Sequence, residues 1–333
     1  MLKTPDWWYQ KDAKGAPWWR SGLWLLSALW FAANTVKRAL ATPYRSPLFV
    51  ISIGNLTLGG SGKTPIASEV LRILGTQAIG LSRGHGGRLS GPVLVDPSRH
   101  STQEVGDEPL MLALSHRFVI SKDRALGLKF IEGQGTKIVV VDDAHQNIKI
   151  AKDLHILVVD GDTSNNCWPF GDGGICPNGP LREPLIEGLK RADLCILWMP
   201  DLESQPSRDL LGLLSQKPVF IARLKAAPPV VPKRVLGFAG IAKPWKFQAT
   251  LKSLGYSVVD FMPFPDHKDF ESADLDHLTD RAFGLGAELI TTQKDWMRLP
   301  PIWKNKVGFL PISAQFDDEA GFREALKRAI STS

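Results

Sequence analysis

The sequence predicts an α/β protein with a mainly parallel sheet and helices on both faces. Short apolar runs alternate with helical stretches and are separated by glycine-rich turns, and the 333 residues are 44% hydrophobic and 22% charged. Continuous apolar runs are typical of strands buried on both faces. This length and composition suit two packed cores and exclude a disordered or fibrous protein. The runs after residue 47 span 48–53, 138–141, 156–159, 194–198 and 219–221.

A proline-rich stretch divides the chain. Residues 226–232 read Ala-Ala-Pro-Pro-Val-Val-Pro, and prolines so closely spaced cannot continue a helix or a central strand. We therefore predict a linker here. Strands at 235–240, 258–261 and 288–291 would then form a second, smaller α/β domain. The predicted parts are an N-terminal segment (1–45), a larger domain (46–227) and a smaller domain (228–333).

The N-terminal segment carries most of the net charge of the chain. Residues 1–45 hold five of the six net positive charges, so the rest is nearly neutral and has no basic face for nucleic acid. We predict no nucleic-acid partner. Tryptophans and basic residues together favour the headgroup level of a membrane. Six of the eleven tryptophans lie in this segment: Trp7, Trp8, Trp18, Trp19, Trp24 and Trp30.

The uncharged stretch 21–35 is too short to span a bilayer, which needs ~20 apolar residues. It predicts a helix lying in the membrane surface. A spanning helix and a helix packed on the protein's own core are the alternatives. The three scattered cysteines form no C-x-x-C pair and indicate a reducing, cytoplasmic environment.

A glycine-rich loop follows the first strand and resembles a Walker A motif. Gly62-Lys63-Thr64 matches its end, whereas Thr57 stands where the motif has glycine, so Gly59 and Gly60 are expected to supply the flexibility. In such loops backbone N–H groups surround phosphates, the lysine reaches the β- and γ-phosphates, and the threonine hydroxyl binds Mg²⁺. The alternative is a chance glycine-rich turn. The motif predicts a P-loop NTPase-type fold with ATP bound by Thr57, Leu58, Gly59, Gly60, Ser61, Gly62, Lys63 and Thr64.

A pair of acidic residues ends the run 138–141. Asp142 and Asp143 stand where P-loop enzymes place an acidic partner for their metal. With Thr64 they predict a Mg²⁺ site. A strand followed by a turn that happens to use aspartate is the alternative.

Seven separate segments together resemble one family, the tetraacyldisaccharide 4′-kinases of lipid A biosynthesis. Each segment alone is weak, but seven in order are specific. The family loop also has a threonine at the position of Thr57, so that departure from the general motif is expected. The segments span 54–65, 82–87, 105–109, 179–184, 238–241, 264–267 and 291–296.

The resemblance implies an ATP- and Mg²⁺-dependent transferase. It would move the γ-phosphate to the 4′-hydroxyl of a tetraacylated glucosamine disaccharide 1-phosphate, giving lipid IVA. The glycolipid places such a kinase at the cytoplasmic face of the bacterial inner membrane. The N-terminal segment, predicted without the family, fits that surface as a peripheral or anchoring helix, and we expect a monomer.

The resemblance also assigns catalytic roles. Asp107 corresponds to the catalytic base and His267 to its partner, which would place the site between the domains. A carboxylate can accept the proton of an attacking hydroxyl, and a histidine can orient it. The alternatives are an N-cap role for Asp107 before a helix near Glu108-Pro109, and an ordinary surface-loop role for His267.

Five residues are expected to bind the substrate. Arg124 and Arg182 correspond to basic family residues near anionic groups, and a planar guanidinium suits phosphate. A solvated ion pair between Arg182 and Glu183 is the alternative. The full predicted set is Arg83, Arg124, Gln146, Arg182 and Glu183.

The chain departs from the family at several positions. Asn147 replaces a usual histidine, which puts that position's role in doubt although an asparagine can still hydrogen-bond. Gln293 replaces a glutamate and removes a charge. Ala144 and Asn178 replace a glycine and an alanine.

Three other functions compete. A P-loop kinase or ligase for a soluble metabolite would leave the tryptophan-rich segment without a role. A GTPase would need an N-K-x-D motif, and the adjacent Lys294-Asp295 cannot replace it. A nucleotide-dependent membrane scaffold would bind ATP without transferring phosphate, and the segments around Asp107 and His267 argue against it.

Overall fold

The computed structural model describes residues 5–12, 15–229, 231 and 233–332. Lys3 and Lys14 of the basic segment, and Val230 and Pro232 of the predicted linker, lie outside these residues. The strands in chain order are β1 Phe49–Gly54, β2 Ala78–Ser82, β3 Val93–Leu94, β4 Phe118–Ile120, β5 Ile138–Asp142, β6 Leu154–Asp160, β7 Leu194–Met199, β8 Val219–Ala226, β9 Arg234–Ala239, β10 Ser257–Pro263, β11 Glu288–Thr292, β12 Val307–Leu310 and β13 Ile312–Phe316.

Helices connect most of the strands. Short 3₁₀ turns add Asp6–Tyr9, Trp18–Gly22, Gly75–Gln77 and Ser164–Asn166. The α-helices are α1 Leu23–Ala39, α2 Lys63–Leu74, α3 Thr102–Val105, α4 Asp107–Ala113, α5 Arg124–Glu132, α6 Leu185–Arg191, α7 Arg208–Leu214, α8 Pro244–Ser253, α9 Ser272–Gly284, α10 Gln293–Arg298, α11 Pro301–Lys304 and α12 Glu319–Ser331.

The larger sheet confirms the predicted α/β fold. Its nine strands have the order β13-β8-β7-β6-β1-β5-β2-β4-β3. All neighbours run parallel except β13 beside β8 and β3 beside β4, both at the edges. Each strand predicted between 48 and 221 forms near its expected position. The sheet places β1 at its centre between β5 and β6, so the phosphate loop lies beside the carboxyl ends of both strands.

A smaller sheet forms a second unit. Its four parallel strands have the order β10-β9-β11-β12. The predicted strands correspond to β9, β10 and β11, whereas β12 was not predicted. Helix α9 covers one face, and burying its apolar side chains against the strands forms a separate core. That core includes Leu236, Phe238, Leu275, Leu278 and Trp303.

The C-terminal residues do not belong to the smaller unit, although the predicted division placed all residues from 228 onward in it. Strand β13 pairs antiparallel with β8, so residues 312–316 belong to the larger sheet. Helix α12 follows it and buries Phe322 and Leu326 in the same core as Ile66 of α2. The rings of Phe316 and Phe322 stack with centroids 4.2 Å apart. The smaller unit is therefore an insertion before the last strand and helix of the larger one. Strand β13 and helix α12 belong to the larger unit because their apolar side chains are buried in its core.

Helix α1 lies on the surface of the larger unit. Ser27 is the one buried residue within it, and its hydroxyl donates to the Ile175 carbonyl at 2.7 Å. Trp24, Leu29 and Trp30 are each more than half exposed, so the predicted alternative of a helix packed on the protein's own core does not describe it. No helix among the described residues is both long and apolar enough to cross a membrane.

Candidate active site

The phosphate loop connects β1 to α2 and has the backbone that an anion site requires. Gly59 and Gly62 have φ values of +97° and +79°, which favour glycine. A Cβ on Gly62 would lie 2.4 Å from the Trp198 ring, so glycine is also needed for space. Gly62 precedes Lys63, the first residue of α2, whose N-terminal dipole favours an anion. The predicted loop geometry is therefore present, with Gly59 rather than Gly60 in the unusual conformation.

Thr57 fits the loop because its position does not need glycine. It forms an isolated antiparallel bridge with Leu181 and is buried. Its carbonyl accepts hydrogen bonds from the Asn55 amide at 2.8 Å and from Arg182 Nε at 3.1 Å. The Asn55 amide also donates to the Ser61 hydroxyl at 2.8 Å, which ties one side of the loop to the other.

The two aspartates at the end of β5 are held in different charge environments. Asp142 is buried beside Ile53 of β1, and burial raises its pKa to about 6 although Lys63 opposes this. Burial would also raise the pKa of Asp143, but Lys63 and Arg182 outweigh it and hold that pKa at about 2. The Asp143 Oδ1 atom lies 2.8 Å from Arg182 Nη1 and 3.6 Å from Lys63 Nζ. The pKa of Asp143 therefore lies well below that of Asp142, and both carboxyls are mostly ionised at neutral pH.

The donor set beside the loop suits Mg²⁺. In the described residues no group of three or more histidine, cysteine, aspartate or glutamate side chains could hold a metal alone. Mg²⁺ is commonly bound by one or two carboxylates together with substrate phosphates and waters. Asp142, Asp143 and the Thr64 hydroxyl are oxygen donors of this kind, so they fit a metal that arrives with a nucleotide.

Asp107 and His267 meet between the two units. Asp107 is the first residue of α4 and is buried, and its Oδ2 lies 3.2 Å from His267 Nδ1. His267 is in the loop after β10 with φ +59°, and its N–H donates to the Gly240 carbonyl at 3.1 Å. The predicted alternatives fail here, because Gly106 is the N-cap without a side-chain cap bond and His267 contacts a buried carboxylate.

Lys294 determines which nitrogen of His267 carries the proton. Its Nζ lies 3.2 Å from His267 Nε2 and 2.8 Å from a carboxylate oxygen of Glu108. An ammonium group only donates, so Nε2 accepts and Nδ1–H donates to Asp107. Burial would raise the pKa of Glu108, but Lys294 outweighs it and holds that pKa at about 2. The imidazole is thereby oriented from both sides.

Arg298 links the Asp107–His267 pair to the core of the smaller unit. Its Nε lies 3.1 Å from Asp107 Oδ2, and its other nitrogens donate to the carbonyls of Lys268 and Gly240. Asp295 also accepts from Arg298, at 2.9 Å. Arg298 therefore holds the loop that carries His267 while it contacts Asp107. Sequence reasoning missed Arg298 and Lys294, although Lys294 lies inside a quoted family segment.

Four of the five predicted substrate residues contact Asp143 or one another: Arg124, Gln146, Arg182 and Glu183. Arg182 joins the phosphate loop to Asp143, whereas Glu183 accepts from Arg191, from Arg38 of α1 at 3.2 Å and from Gln146 at 3.0 Å. The alternative of an Arg182–Glu183 ion pair is therefore wrong, since each side chain has other partners.

The remaining two arginines differ in exposure. Arg124 is buried and donates to the carbonyls of Asp142 and Asp143 at 3.3 and 3.0 Å, which supports the end of β5. Arg83 is exposed after β2. Asn147 still hydrogen-bonds, as expected, because its side-chain oxygen accepts from the Lys149 N–H at 2.8 Å.

A second charged cluster joins the two units beside the phosphate loop. Asp160 ends β6 and is buried, and Lys243 and Lys246 of the smaller unit each approach its carboxylate to 2.9 Å. Burial would raise the pKa of Asp160, but the two lysines outweigh it and lower that pKa. Sequence reasoning missed this cluster, because no motif connects residues so far apart in the chain.

Comparisons with known proteins identify the family to which the chain is similar. The family profile described as tetraacyldisaccharide-1-P 4′-kinase matches residues 19–331. The tetraacyldisaccharide 4′-kinases of Phenylobacterium zucineum and Caulobacter vibrioides NA1000 are 48% and 49% identical, and the matches cover 96% and 98% of this chain and 97% and 98% of theirs. LpxK of Aquifex aeolicus, solved in complex with ATP, has a TM-score of 0.71 at 26% identity, covering 93% of this chain and 99% of that one.

Proposed function

This chain belongs to the tetraacyldisaccharide 4′-kinase family, and we propose that it transfers the γ-phosphate of ATP to the 4′-hydroxyl of tetraacyldisaccharide 1-phosphate, giving lipid IVA. It is a kinase of lipid A biosynthesis. The observation that carries the proposal is the pairing of Asp107 with His267 at 3.2 Å beside a complete phosphate loop. A nucleotide-binding scaffold has no need of a buried carboxylate oriented in this way.

The phosphate loop and the Asp107 pair lie at the same edge of the larger sheet. Strands β1, β5 and β2 are adjacent and parallel, so their carboxyl ends meet there. The turn after β2 packs against the turn before α4: a Cβ on Gly106 would lie 2.4 Å from the His85 carbonyl oxygen. This packing brings Asp107 to the edge that carries Lys63 and Asp142.

The acceptor hydroxyl is proposed to lose its proton to Asp107. The Nδ1–H of His267 donates to Asp107 Oδ2, and the Arg298 guanidinium forms an ion pair with the same oxygen. The carboxylate is therefore oriented before substrate arrives. Proton acceptance by a positioned carboxylate contributes typically 10²–10⁴-fold to a rate. His267 and Arg298 come from the smaller unit, so the site is complete only when both units meet.

Lys63, Arg182 and the N-terminus of α2 are proposed to bind the nucleotide phosphates. Transfer of a phosphoryl group builds negative charge on its oxygens, and cations and N–H groups stabilise it. Mg²⁺ would be held by Thr64, Asp142 and Asp143 and would neutralise part of that charge. Lys63 and Arg182 both already contact Asp143, so the cations are in place around these ligands.

Helix α1 is proposed to hold the enzyme on the cytoplasmic face of the inner membrane. Trp18, Trp24 and Trp30 are 89%, 65% and 57% exposed, and exposed aromatic surface of this extent marks an interaction site. Lys37 in the last turn adds a charge that favours an anionic headgroup layer. We propose a monomer that lies on the membrane by this helix.

The test uses the full chain with γ-labelled ATP, Mg²⁺ and detergent-dispersed tetraacyldisaccharide 1-phosphate. Label is expected in the lipid, and ³¹P NMR is expected to place it at the 4′ position. An acceptor without the 4′-hydroxyl should receive none. The Asp107→Asn protein should bind ATP but transfer little, whereas Asp280→Asn, on the exposed surface of α9, should be fully active. ATP binding without transfer to this lipid would overturn the proposal.

A further inference from the structure

The segment before the family match is docked on the phosphate loop. We call residues 5–10 the N-terminal strap; the family profile begins only at residue 19. The strap carbonyl of Tyr9 accepts the Trp168 N–H at 2.7 Å, and Gln10 forms an antiparallel bridge with Cys167. The Trp8 carbonyl packs against Gly171, where a Cβ would lie 2.1 Å away. The strap therefore has a defined position on the larger unit.

Tyr9 reaches from the strap into the phosphate loop. Its side chain is buried, and its hydroxyl donates to the Leu58 carbonyl at 2.5 Å. A Cβ on Gly59 would lie 2.7 Å from this hydroxyl, so the two groups are in close contact. Burial raises the pKa of Tyr9, which keeps the phenol protonated and able to donate.

The Tyr9 bond determines how the peptide between Leu58 and Gly59 is turned. In a planar trans peptide the C=O and N–H groups point in opposite directions. A carbonyl held toward Tyr9 therefore directs the Gly59 N–H away from it. The Leu58 N–H is fixed as well, because it donates to the Pro180 carbonyl at 2.8 Å. The loop backbone is thus held at this peptide before any phosphate binds.

The smaller unit contacts the same tyrosine. Lys243 Nζ lies 4.2 Å from the centroid of the Tyr9 ring and 2.9 Å from Asp160 Oδ2. A cation over an aromatic face is attracted to it. The strap, the phosphate loop and the smaller unit therefore meet at one residue.

We propose that Tyr9 is a positioning residue for the phosphate loop, so that the N-terminal strap increases the affinity of the enzyme for ATP. This inference rests on the proposed function, because it takes residues 57–64 as the nucleotide site. Tyr9 does not touch the reacting atoms. Its contribution is to fix the loop in the conformation that binds phosphates, which lowers the cost of ordering the loop on binding.

The experiment compares Tyr9→Phe with Tyr44→Phe in the full chain. Both substitutions remove one hydroxyl, and Tyr44 donates to a Glu132 carboxylate at 2.8 Å, away from the loop. Loss of one hydrogen bond between neutral groups is expected to weaken ATP binding about 3- to 10-fold in Tyr9→Phe. The KM for ATP should rise by the same factor, whereas kcat and the KM for the lipid should change less than about 2-fold. Tyr44→Phe should match the wild type in both KM values.

Calorimetric titration with ATP and Mg²⁺ separates failure of this inference from failure of the proposed function. Lys63→Ala should lose most ATP affinity if residues 57–64 bind the nucleotide. If Lys63→Ala loses it and Tyr9→Phe binds as tightly as the wild type, the strap has no positioning role. If Lys63→Ala itself binds ATP normally, the proposed site is wrong. The Tm of Tyr9→Phe is expected to stay close to that of Tyr44→Phe, because the ring and its packing are retained. A much lower Tm of Tyr9→Phe with an unchanged KM for ATP would mean that Tyr9 has a purely structural role.

Discussion

Replacing Lys294 by methionine should destabilise the protein far more than the same replacement of Lys233. Each lysine lies equally close to a glutamate, but the pair of Lys233 is exposed. Lys294 Nζ lies 2.8 Å from Glu108, with side chains 22% and 25% exposed. Lys233 Nζ lies 2.8 Å from Glu288, with side chains 49% and 66% exposed. The two pairs have the same chemistry and distance and differ in burial. Removing one partner of a buried pair leaves an unpaired charge, whereas exposed pairs contribute little.

The magnitude follows from the pKa of Glu108. Its carboxyl has a pKa of about 2 rather than the ordinary 4.5, because Lys294 outweighs the effect of burial. The difference corresponds to ~3 kcal/mol of folding free energy at neutral pH. We expect Lys294→Met to lower the free energy of unfolding by about that amount at pH 7, and Lys233→Met to lower it far less, because its pair with Glu288 is exposed.

Urea unfolding followed by circular dichroism measures both variants. Since the folded-state pKa of Glu108 is depressed, its contribution is complete above about pH 4.5 and is lost as the pH falls toward 2. The deficit of Lys294→Met should shrink over that interval. The double variant Glu108→Gln/Lys294→Met should recover much of the lost stability, because neither member of this pair is then left charged without its partner. If Lys294→Met and Lys233→Met cost the same at pH 7, this account of the buried pair is wrong.

Three further outcomes are expected. Asp107→Asn should lower kcat by about 10²–10⁴-fold, with ATP affinity by calorimetry changed less than about 2-fold; wild-type turnover would remove Asp107 as the base. Asp142→Asn should inactivate the enzyme yet raise the unfolding free energy at pH 7.5 by ~3 kcal/mol, because burial raises the pKa of Asp142 to about 6 and its ionised form is unfavourable. This gain should vanish below about pH 3, where the carboxyl is protonated in both the folded and the unfolded state; a gain that persists there would have another cause. Trp24→Ser/Trp30→Ser should reduce cosedimentation with anionic vesicles at least about 10-fold, while activity on detergent-dispersed lipid is retained; unchanged cosedimentation would contradict membrane binding through α1.

The sequence alone predicts the central elements well because their signals are local. The run 48–53 followed by Gly62-Lys63-Thr64 specifies a strand, a turn and a helix within a short stretch, and the structure has β1, the loop and α2 there. The aspartates after the run 138–141 lie at the end of β5, next to β1, as parallel strands require. Strand β2 was missed because Ala78–Ser82 contains glycine and serine among its apolar residues.

The Asp107 pair shows a different limit. The sequence resemblance named Asp107 and His267, but 160 positions separate them, and no local pattern states that they touch. The added contacts of Lys294 and Arg298 could not be predicted from a motif, since both depend on how α10 packs beside α4. The alternative of an Arg182–Glu183 ion pair was wrong for the same reason. Arg182 pairs with Asp143 and Glu183 pairs with Arg191, and the fold brings these partners together.

Local composition and spacing determined the α/β class, the phosphate loop, the acidic pair after β5 and the aromatic, basic N-terminal segment. Only the tertiary structure decided that β13 and α12 return to the larger core, that Arg298 and Lys294 contact the Asp107–His267 pair, and that Tyr9 reaches the phosphate loop. The physical reason is that backbone conformation depends on side chains a few positions apart, whereas burial and charge pairing depend on the whole packed chain. A buried cation must form an ion pair or hydrogen bonds, and its partners are the carboxylates and carbonyls that the folded chain brings close to it.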